Sequence, residues 1–226
     1  VDGASTDDTV EIAIDYKEES DSVSASHDVV ISSEPDKGLY DAMNKGLQRA
    51  TGDYVCFLNA GDFLPSSATI ETIVQMAKCE LKSEGTLPAV LYGDTDIVDN
   101  GGTFIGHRRL RPPKNLSWRS FQQGMLVCHQ AFYARLDIAQ TIPYDLKYRY
   151  SADVDWCIRI MKEAERRQLM ISNVGCVIAN YTKEGQTTIH HRASLKERYN
   201  IMCCHYGKIT TMLMHIWFAV RSVVKK

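Results

Sequence analysis

The order of strand-like and helix-like segments constrains the fold of this chain more than any other feature. Short apolar runs at residues 28–32, 54–58 and 90–92 have the length and composition of buried strands. Between them, apolar residues recur at helical spacing over residues 39–50 and 66–81. This β-α-β-α-β order predicts an α/β fold with a mixed, mostly parallel sheet flanked by helices.

The second half of the chain has a different pattern. Residues 101–113 combine paired glycines, paired prolines and several arginines, which predicts a hairpin followed by a loop. Residues 125–133 are strand-like, and residues 151–168 have the apolar spacing of a helix. We expect a main domain over residues 1–190 and a C-terminal helical tail over residues 191–226.

Composition excludes several classes of protein. The 226 residues carry 26 Lys and Arg against 28 Asp and Glu, and this net charge of −2 argues against a general nucleic-acid binder. The seven cysteines form no CxxC pair, which indicates reduced thiols in a cytoplasmic setting. No apolar run is long enough for a clear transmembrane helix, and the first residues do not resemble a signal peptide. We therefore expect a cytoplasmic protein.

Two aspartates follow segments that have the pattern of strand ends. Asp2 lies in Val1-Asp2-Gly3, and Asp62 closes the turn Asn59-Ala60-Gly61-Asp62. Ligands of open α/β sheets bind at the carboxyl ends of the strands. There, Asp2 could accept hydrogen bonds from a base or ribose, and Asp62 could hold a divalent cation on a diphosphate. Each could equally be a turn residue or a helix cap.

A further pair of carboxylates opens the helix pattern at residues 151–168. Asp153 and Asp155 lie in its first turn, beside Trp156. One could be a general base, and a raised pKa would suit that role. The favourable interaction of aspartate with the helix dipole explains both residues equally well. They are about 200° apart on a helix, so both cannot face one pocket, and Asp155 could pair with Arg159 at i+4.

The most specific segment is the string SEPDKGLYDAMNKG at residues 33–46. Together with the motifs around Asp2, Asp62 and Asp153, and with the pair His129-Gln130, it resembles glycosyltransferase family 2. The likeness is strongest to bacterial members of polysaccharide, O-antigen and colanic-acid assembly, and it runs to about residue 186. It implies a GT-A-like, Rossmann-like domain that uses a nucleoside-diphosphate sugar and inverts the transferred sugar.

The resemblance also implies how the donor is bound. Asp2 matches the aspartate that contacts the nucleotide base, and Asp36 and Lys37 match the loop that lines the nucleotide pocket. Gly61 lies at a nucleotide-binding position, and Asp62 matches the carboxylate that holds Mn²⁺ or Mg²⁺ on the diphosphate. Lys37 could instead be an ordinary surface charge.

The catalytic and acceptor positions follow in the same way. The resemblance implies that Asp153 is the catalytic base and that His129 and Gln130 lie near the acceptor. His129 could also be a core histidine bonded to the backbone. The chain departs from the family at Gly61, where many members have Asp, and at Ala152, where many have Glu. It also lacks the QxxRW motif, and the strand and helix that open the family domain are expected to be missing.

The expected activity is sugar transfer to a saccharide or lipid-linked saccharide acceptor in bacterial cell-surface polysaccharide biosynthesis. The basic stretch at residues 107–114 is expected to meet a phosphate-bearing, lipid-linked acceptor. Two alternatives stay open at this point. A nucleotidyltransferase also uses a carboxylate-metal site on an α/β sheet, and a catalytically inactive homologue could bind sugar nucleotides or act as a scaffold.

The tail has its own charge pattern. No acidic residue follows Glu197, whereas five basic residues alternate with apolar ones: Arg198, Lys208, Arg221, Lys225 and Lys226. This pattern is typical of a basic amphipathic helix on an anionic membrane surface, which makes the inner face of the plasma membrane a candidate location. A C-terminal helix packed on the domain is the alternative, and the sequence favours neither.

Overall fold

The computed structural model describes residues 1–23, 27–182 and 191–224. The end of the resemblance, residues 183–186, and the terminal Lys225 and Lys226 lie outside them. The helices are α1 (Thr9–Ser22), α2 (Leu39–Arg49), α3 (Thr69–Glu84), α4 (Leu136–Ala139), α5 (Ala152–Arg166), α6 (His191–Tyr206) and α7 (Lys208–Val224). The strands are β1 (Tyr54–Val55), β2 (Val90–Val98), β3 (Phe104–His107), β4 (Phe132–Arg135) and β5 (Ile171–Thr182), and 3-10 helices cover Trp118–Gln123 and His129–Ala131.

Strand β2 is the centre of a mixed sheet. The strand order is β1-β4-β2-β3, and β5 pairs with β2 along its other edge. β5 runs parallel to β2, whereas β1 with β4, β4 with β2, and β2 with β3 are antiparallel. Val90 pairs with Ala134 on one side and with Ile171 on the other, and residues 89–92 are completely buried. The predicted α/β fold with a mixed sheet flanked by helices is confirmed.

Helix α5 is buried on nearly every side. The indole ring of Trp156 stacks on Tyr144 with centroids 4.8 Å apart and meets Phe57 edge-on at 5.9 Å. Its Nε1–H donates to the Ile142 carbonyl at 2.8 Å. Aromatic pairs of this kind stabilise a fold beyond the area that they bury. The packing fixes the first turn of α5, where Asp153 lies.

The sequence overestimates several strands. Residues 28–32 form no strand, because among the described residues their backbone pairs only at Ser32, whose carbonyl accepts from the Asp2 N–H beside an isolated bridge between Asp2 and Ser33. Val30 in this segment is 78% exposed. The run at 54–58 shortens to β1. Residues 125–133 are not one strand, since Ala131 donates to the Cys128 carbonyl in a 3-10 turn before β4 begins. That turn takes the side chains of residues 129 and 130 off the sheet.

Helix α6 is anchored beside the start of α5. The Ser151 and Ser194 hydroxyls are 3.0 Å apart, and the Glu197 carboxylate accepts from the backbone N–H of Tyr150 at 2.8 Å. Gly207, with φ of 83°, separates α6 from α7 in a left-handed conformation that favours glycine. No described helix is both long and apolar enough to cross a bilayer. The boundary between residues 190 and 191 stays a prediction.

Candidate active site

Asp153 is buried where α2, α5 and the 3-10 helix that begins at residue 129 meet. Its Oδ1 accepts from the Tyr40 hydroxyl at 3.1 Å, and its Oδ2 is 3.3 Å from Nδ1 of His129. Burial, and then the negative charge of Asp153, raise the pKa of Tyr40. Tyr40 therefore stays protonated at neutral pH and donates to Asp153. Two residues from distant parts of the chain thus converge on this carboxylate.

The pKa of Asp153 is lowered, which corrects the expectation of a raised value. Burial alone would raise it, but the hydrogen bond and charge of His129 and the charge of Arg198 outweigh that effect. Asp153 is therefore an ionised carboxylate across the neutral range. At neutral pH the Asp153 carboxylate is therefore already in the form that accepts a proton.

The ring of His129 lies between two side chains of the site. The Asn59 side-chain Nδ2 lies 3.3 Å from Nε2 of His129. Nδ1, on the other side of the ring, is the nitrogen that faces Asp153. With both ring nitrogens engaged, His129 orients Asp153 and stabilises its charge.

Gln130 connects this centre to Asp62. Its Nε2 donates to Asp62 Oδ2 at 2.6 Å, and the Thr182 backbone N–H donates to Asp62 Oδ1 at 3.1 Å. Because His129 and Gln130 are adjacent, a continuous chain of contacts runs from Asp62 through this pair to Asp153. The acceptor-side role of the pair stays a prediction, since both side chains bind site carboxylates.

Asp62 suits a single-carboxylate cation site. Each of its oxygens accepts one hydrogen bond and keeps a second lone pair, and the side chain is partly exposed. The described residues contain no cluster of three or more His, Cys, Asp or Glu that could hold a metal by themselves. A Mn²⁺ or Mg²⁺ ion here would take its other ligands from a diphosphate and water, as magnesium commonly does. The donor set therefore fits the implied cation.

The turn before Asp62 explains one departure from the family. Gly61 has φ of 89°, in the region that favours glycine over residues with a side chain. The Thr182 hydroxyl donates to the Gly61 carbonyl, which ties this turn to the end of β5. Gly61 thus shapes the turn that holds Asp62, and its nucleotide-binding role stays a prediction.

The predicted nucleotide residues Asp2 and Asp36 come together beside the isolated bridge between Asp2 and Ser33. Asp2 accepts from the Ser33 hydroxyl at 2.6 Å and from Ser5, and these bonds lower its pKa to about 2. Asp36 lies against Gly3, where a Cβ atom would overlap its carboxylate. Lys37 follows at the start of α2, and its side chain is exposed. Asp2 is thus a fixed anion that can only accept hydrogen bonds.

Asp155 has a different environment from Asp153. Its Oδ1 is 2.8 Å from Nε2 of His205, and its Oδ2 accepts from Nε of Arg159 at 2.6 Å. Burial would raise its pKa, but the His205 and Arg159 contacts lower it overall. The predicted i+4 pair with Arg159 is present. Asp155 therefore joins α5 to α6 and has both oxygens engaged.

The basic stretch at residues 107–114 is largely paired within the protein. His107 Nδ1 lies 2.7 Å from Asp96, and Arg111 donates to Asp94 at 2.8 Å. Arg108 donates to the Met125 carbonyl at 2.7 Å. These contacts fold the hairpin and loop onto β2, and the contact with a phosphate-bearing acceptor stays a prediction.

Three residues at the site have no role assigned from the sequence. Tyr40 lies within the segment at residues 33–46, at the start of α2, and Asn59 lies in the turn of Asp62. Both carry a sequence signal, since they sit inside recognised motifs. Arg198 has no such signal, because the charge pattern alone places it with the basic tail.

Comparison with known proteins gives the family. The model of the family described as Glycosyl transferase family 2 matches residues 1–138. A PGL/p-HBAD biosynthesis glycosyltransferase of Mycobacterium bovis is 31% identical over 190 residues, or 82% of this chain. The chain spans 64% of the length of that relative. The amylovoran biosynthesis glycosyltransferase AmsB of Erwinia amylovora is 27% identical over 126 residues, which are 54% of this chain and 40% of AmsB.

Solved structures agree on the fold. The structure of S. aureus TarS 1–349 matches with a TM-score of 0.58 at 12% identity, and it covers 94% of this chain and 58% of that one. The same protein in complex with UDP matches with a TM-score of 0.57. The family match covers more than half of the chain and includes Asp2, Asp36 and Asp62. The chain belongs to glycosyltransferase family 2.

Proposed function

We propose that this chain is the donor-binding and catalytic part of an inverting glycosyltransferase. The observation that carries the proposal is the connected set Asp62, Gln130, His129 and Asp153, which the fold brings together through side-chain contacts. One end offers a carboxylate for a cation on a diphosphate, and the other offers an ionised base. A sugar transferase of this type needs both groups.

In the proposed reaction, Asp153 accepts the proton of an acceptor hydroxyl. The freed oxygen lone pair attacks the anomeric carbon of the donor sugar from the face opposite the diphosphate. The bond from that carbon to the β-phosphate oxygen breaks, and its electron pair stays on the oxygen. The product has inverted configuration because a single displacement occurs. The orientation of Asp153 by Tyr40 and His129 is what makes this proton transfer geometrically defined.

Asp62 is the residue that would hold Mn²⁺ or Mg²⁺. Such a cation would supply positive charge that stabilises the departing diphosphate. Gln130 and the Thr182 N–H fix the orientation of the Asp62 carboxylate, and such outer contacts are important for metal affinity. Asp2 and Asp36 would contact the nucleoside.

The substrate class follows from chemistry and from the relatives. A nucleoside-diphosphate sugar matches a site with one metal-binding carboxylate, and the TarS structure that shares this fold was solved with UDP. The named relatives act in PGL/p-HBAD and amylovoran biosynthesis. We propose a saccharide or lipid-linked saccharide acceptor in bacterial cell-surface polysaccharide or glycolipid biosynthesis.

A hydrolysis assay tests this function without knowledge of the acceptor. The protein is incubated with Mn²⁺ and a panel of nucleoside-diphosphate sugars, and the released nucleoside diphosphate is measured. Slow hydrolysis of one donor, lost in Asp62→Ala, is the expected result. Donor binding without any hydrolysis would indicate an inactive homologue. Release of pyrophosphate from a nucleoside triphosphate and a sugar phosphate would indicate a nucleotidyltransferase.

Helix α7 supports the proposed contact with a membrane. Six apolar side chains at i, i+3, i+4 spacing are between 48% and 74% exposed: Ile209, Met212, Leu213, Ile216, Trp217 and Val220. An exposed apolar stripe in a segment whose sequence is basic is typical of helices that lie on anionic lipid. Vesicles with anionic lipid should bind the protein, and salt should weaken that binding, since each basic residue contributes about 1 kcal/mol. Unchanged binding after deletion of residues 208–226 would assign α7 a structural role.

A further inference from the structure

Arg198 is a cation on the buried face of α6. That face comprises Ser194, Arg198, Ile201 and His205, and Ser194 and Ile201 are buried. Ser194 contacts Ser151 at the start of α5, and His205 contacts Asp155 one turn further along α5. Arg198 is one helical turn beyond Ser194, so its side chain is directed to the region of α5 that carries Asp153.

The guanidinium of Arg198 is incompletely satisfied. Its Nε is buried from solvent and has no hydrogen-bond partner among the described residues. Nearly all buried donors in folded proteins have a partner, so such an atom needs an explanation. A ligand that accepts hydrogen bonds is one explanation, since the guanidinium fork matches phosphate and carboxylate oxygens.

The groups near Arg198 indicate where such a ligand would bind. Its charge interacts with the Asp153 carboxylate and with the hydroxyls of Tyr40 and Tyr181. The Tyr181 hydroxyl also interacts with the charge of Asp62. Arg198 is therefore close to the candidate base, and Tyr181 connects it to the candidate cation site. In the proposed reaction, the group that gains negative charge between these two sites is the diphosphate.

We propose that Arg198 binds the diphosphate of the donor, as a second positive group beside the cation at Asp62. This inference rests on the proposed function. When the bond between the anomeric carbon and the β-phosphate oxygen breaks, the electron pair moves onto that oxygen. A guanidinium in contact with the diphosphate stabilises this charge, and Nε gains an acceptor.

Calorimetric titration tests the proposal. Wild-type protein in Mn²⁺ is titrated with UDP, GDP and dTDP, and the diphosphate that binds most tightly is then compared with its monophosphate. Arg198→Gln should weaken diphosphate binding by about 10- to 100-fold, the range for hydrogen bonds to charged groups, and leave the monophosphate nearly unchanged. Arg192→Gln is the matched control, because Arg192 is an exposed arginine on α6.

Arg198→Lys is a second variant that tests the proposal even if Arg198→Gln does not fold. It keeps the positive charge and loses the Nε donor, so diphosphate affinity should still fall by about tenfold. If neither folded variant loses diphosphate affinity, the proposal is wrong, whereas the proposed function stands. A shift of the acid limb of turnover with unchanged diphosphate affinity would also overturn it, because Arg198 would then act only on Asp153. If wild-type protein binds no nucleoside diphosphate, the proposed function itself fails.

Discussion

Asp155→Asn should destabilise the protein although it lies outside the reacting centre. Asp155 accepts from Arg159 at 2.6 Å and contacts His205 at 2.8 Å, so it connects α5 internally and to α6. Charge-assisted hydrogen bonds each contribute about 1.5–3 kcal/mol to stability. Arg159 is partly exposed and also donates to the Pro143 carbonyl, so it keeps a partner in the variant. The two hydrogen bonds of Asp155 together contribute about 3–6 kcal/mol. We therefore expect Asp155→Asn to lower the free energy of unfolding by about 3 kcal/mol, the lower end of that range.

Urea denaturation at pH 7 measures this loss, which corresponds to a fall in Tm of about 6–12 °C for a chain of this size. Asp21→Asn is the matched control, because Lys17 and Asp21 form an i,i+4 pair at 2.7 Å on an exposed helix face. Such exposed pairs contribute about 0.2–1 kcal/mol. Equal destabilisation by the two substitutions would refute the reasoning, since burial of Asp155 would then have no effect.

The difference in stability between wild type and Asp155→Asn should depend on pH. The folded-state pKa of Asp155 is below its ordinary value of 3.8. The ionised carboxylate therefore stabilises the fold at pH values above that ordinary value, and this stabilisation is lost as pH falls through the lower folded-state pKa. The stability gap between wild type and Asp155→Asn should be full at neutral pH and shrink below about pH 4.

Three further predictions concern the metal, the base and the sheet. Asp62→Ala should abolish Mn²⁺-dependent binding of the nucleoside diphosphate while the fold survives, and unchanged metal-dependent affinity by calorimetry would remove Asp62 from the site. His129→Ala should raise the pKa of Asp153, because burial is then less opposed; the acid limb of turnover should move to higher pH, and an unmoved limb would contradict this. Gly93→Ala should destabilise by about 1–3 kcal/mol in urea denaturation, since a Cβ there would lie 2.8 Å from Ile178, and a neutral effect would show that β5 yields easily.

The elements that the sequence predicts well are those with local signals. The helix at residues 66–81 was expected from its apolar spacing and is observed as α3. The pair Asp155 with Arg159 was foreseeable because i+4 neighbours on a helix always lie close together. The predicted strand at 28–32 is wrong, since a strand needs a partner along its length and, among the described residues, this segment pairs only at Ser32, whose carbonyl accepts from the Asp2 N–H.

The sequence predicts many individual residues of the site, but it does not predict which of them contact one another. Tyr40 and Asp153 are 113 positions apart, and Asp62 and Gln130 are 68 apart, so no local pattern reports their contacts. The sign of the Asp153 pKa shift depends on His129 and Arg198, which the fold brings to it from outside α5. Arg198 had no motif of its own, because its burial on α6 follows only from tertiary packing.

Turnover of the donor by Asp153→Asn, compared with Asp155→Asn, tests the central claim most directly. Asparagine keeps the shape of aspartate and removes its basicity. We predict that Asp153→Asn lowers turnover about 10²- to 10⁴-fold, the usual contribution of a general base, with little change in donor affinity. Asp155→Asn, assayed under conditions where it is folded, should lower turnover much less. The reverse order of the two variants in a transfer assay would contradict the assignment of Asp153 as the base.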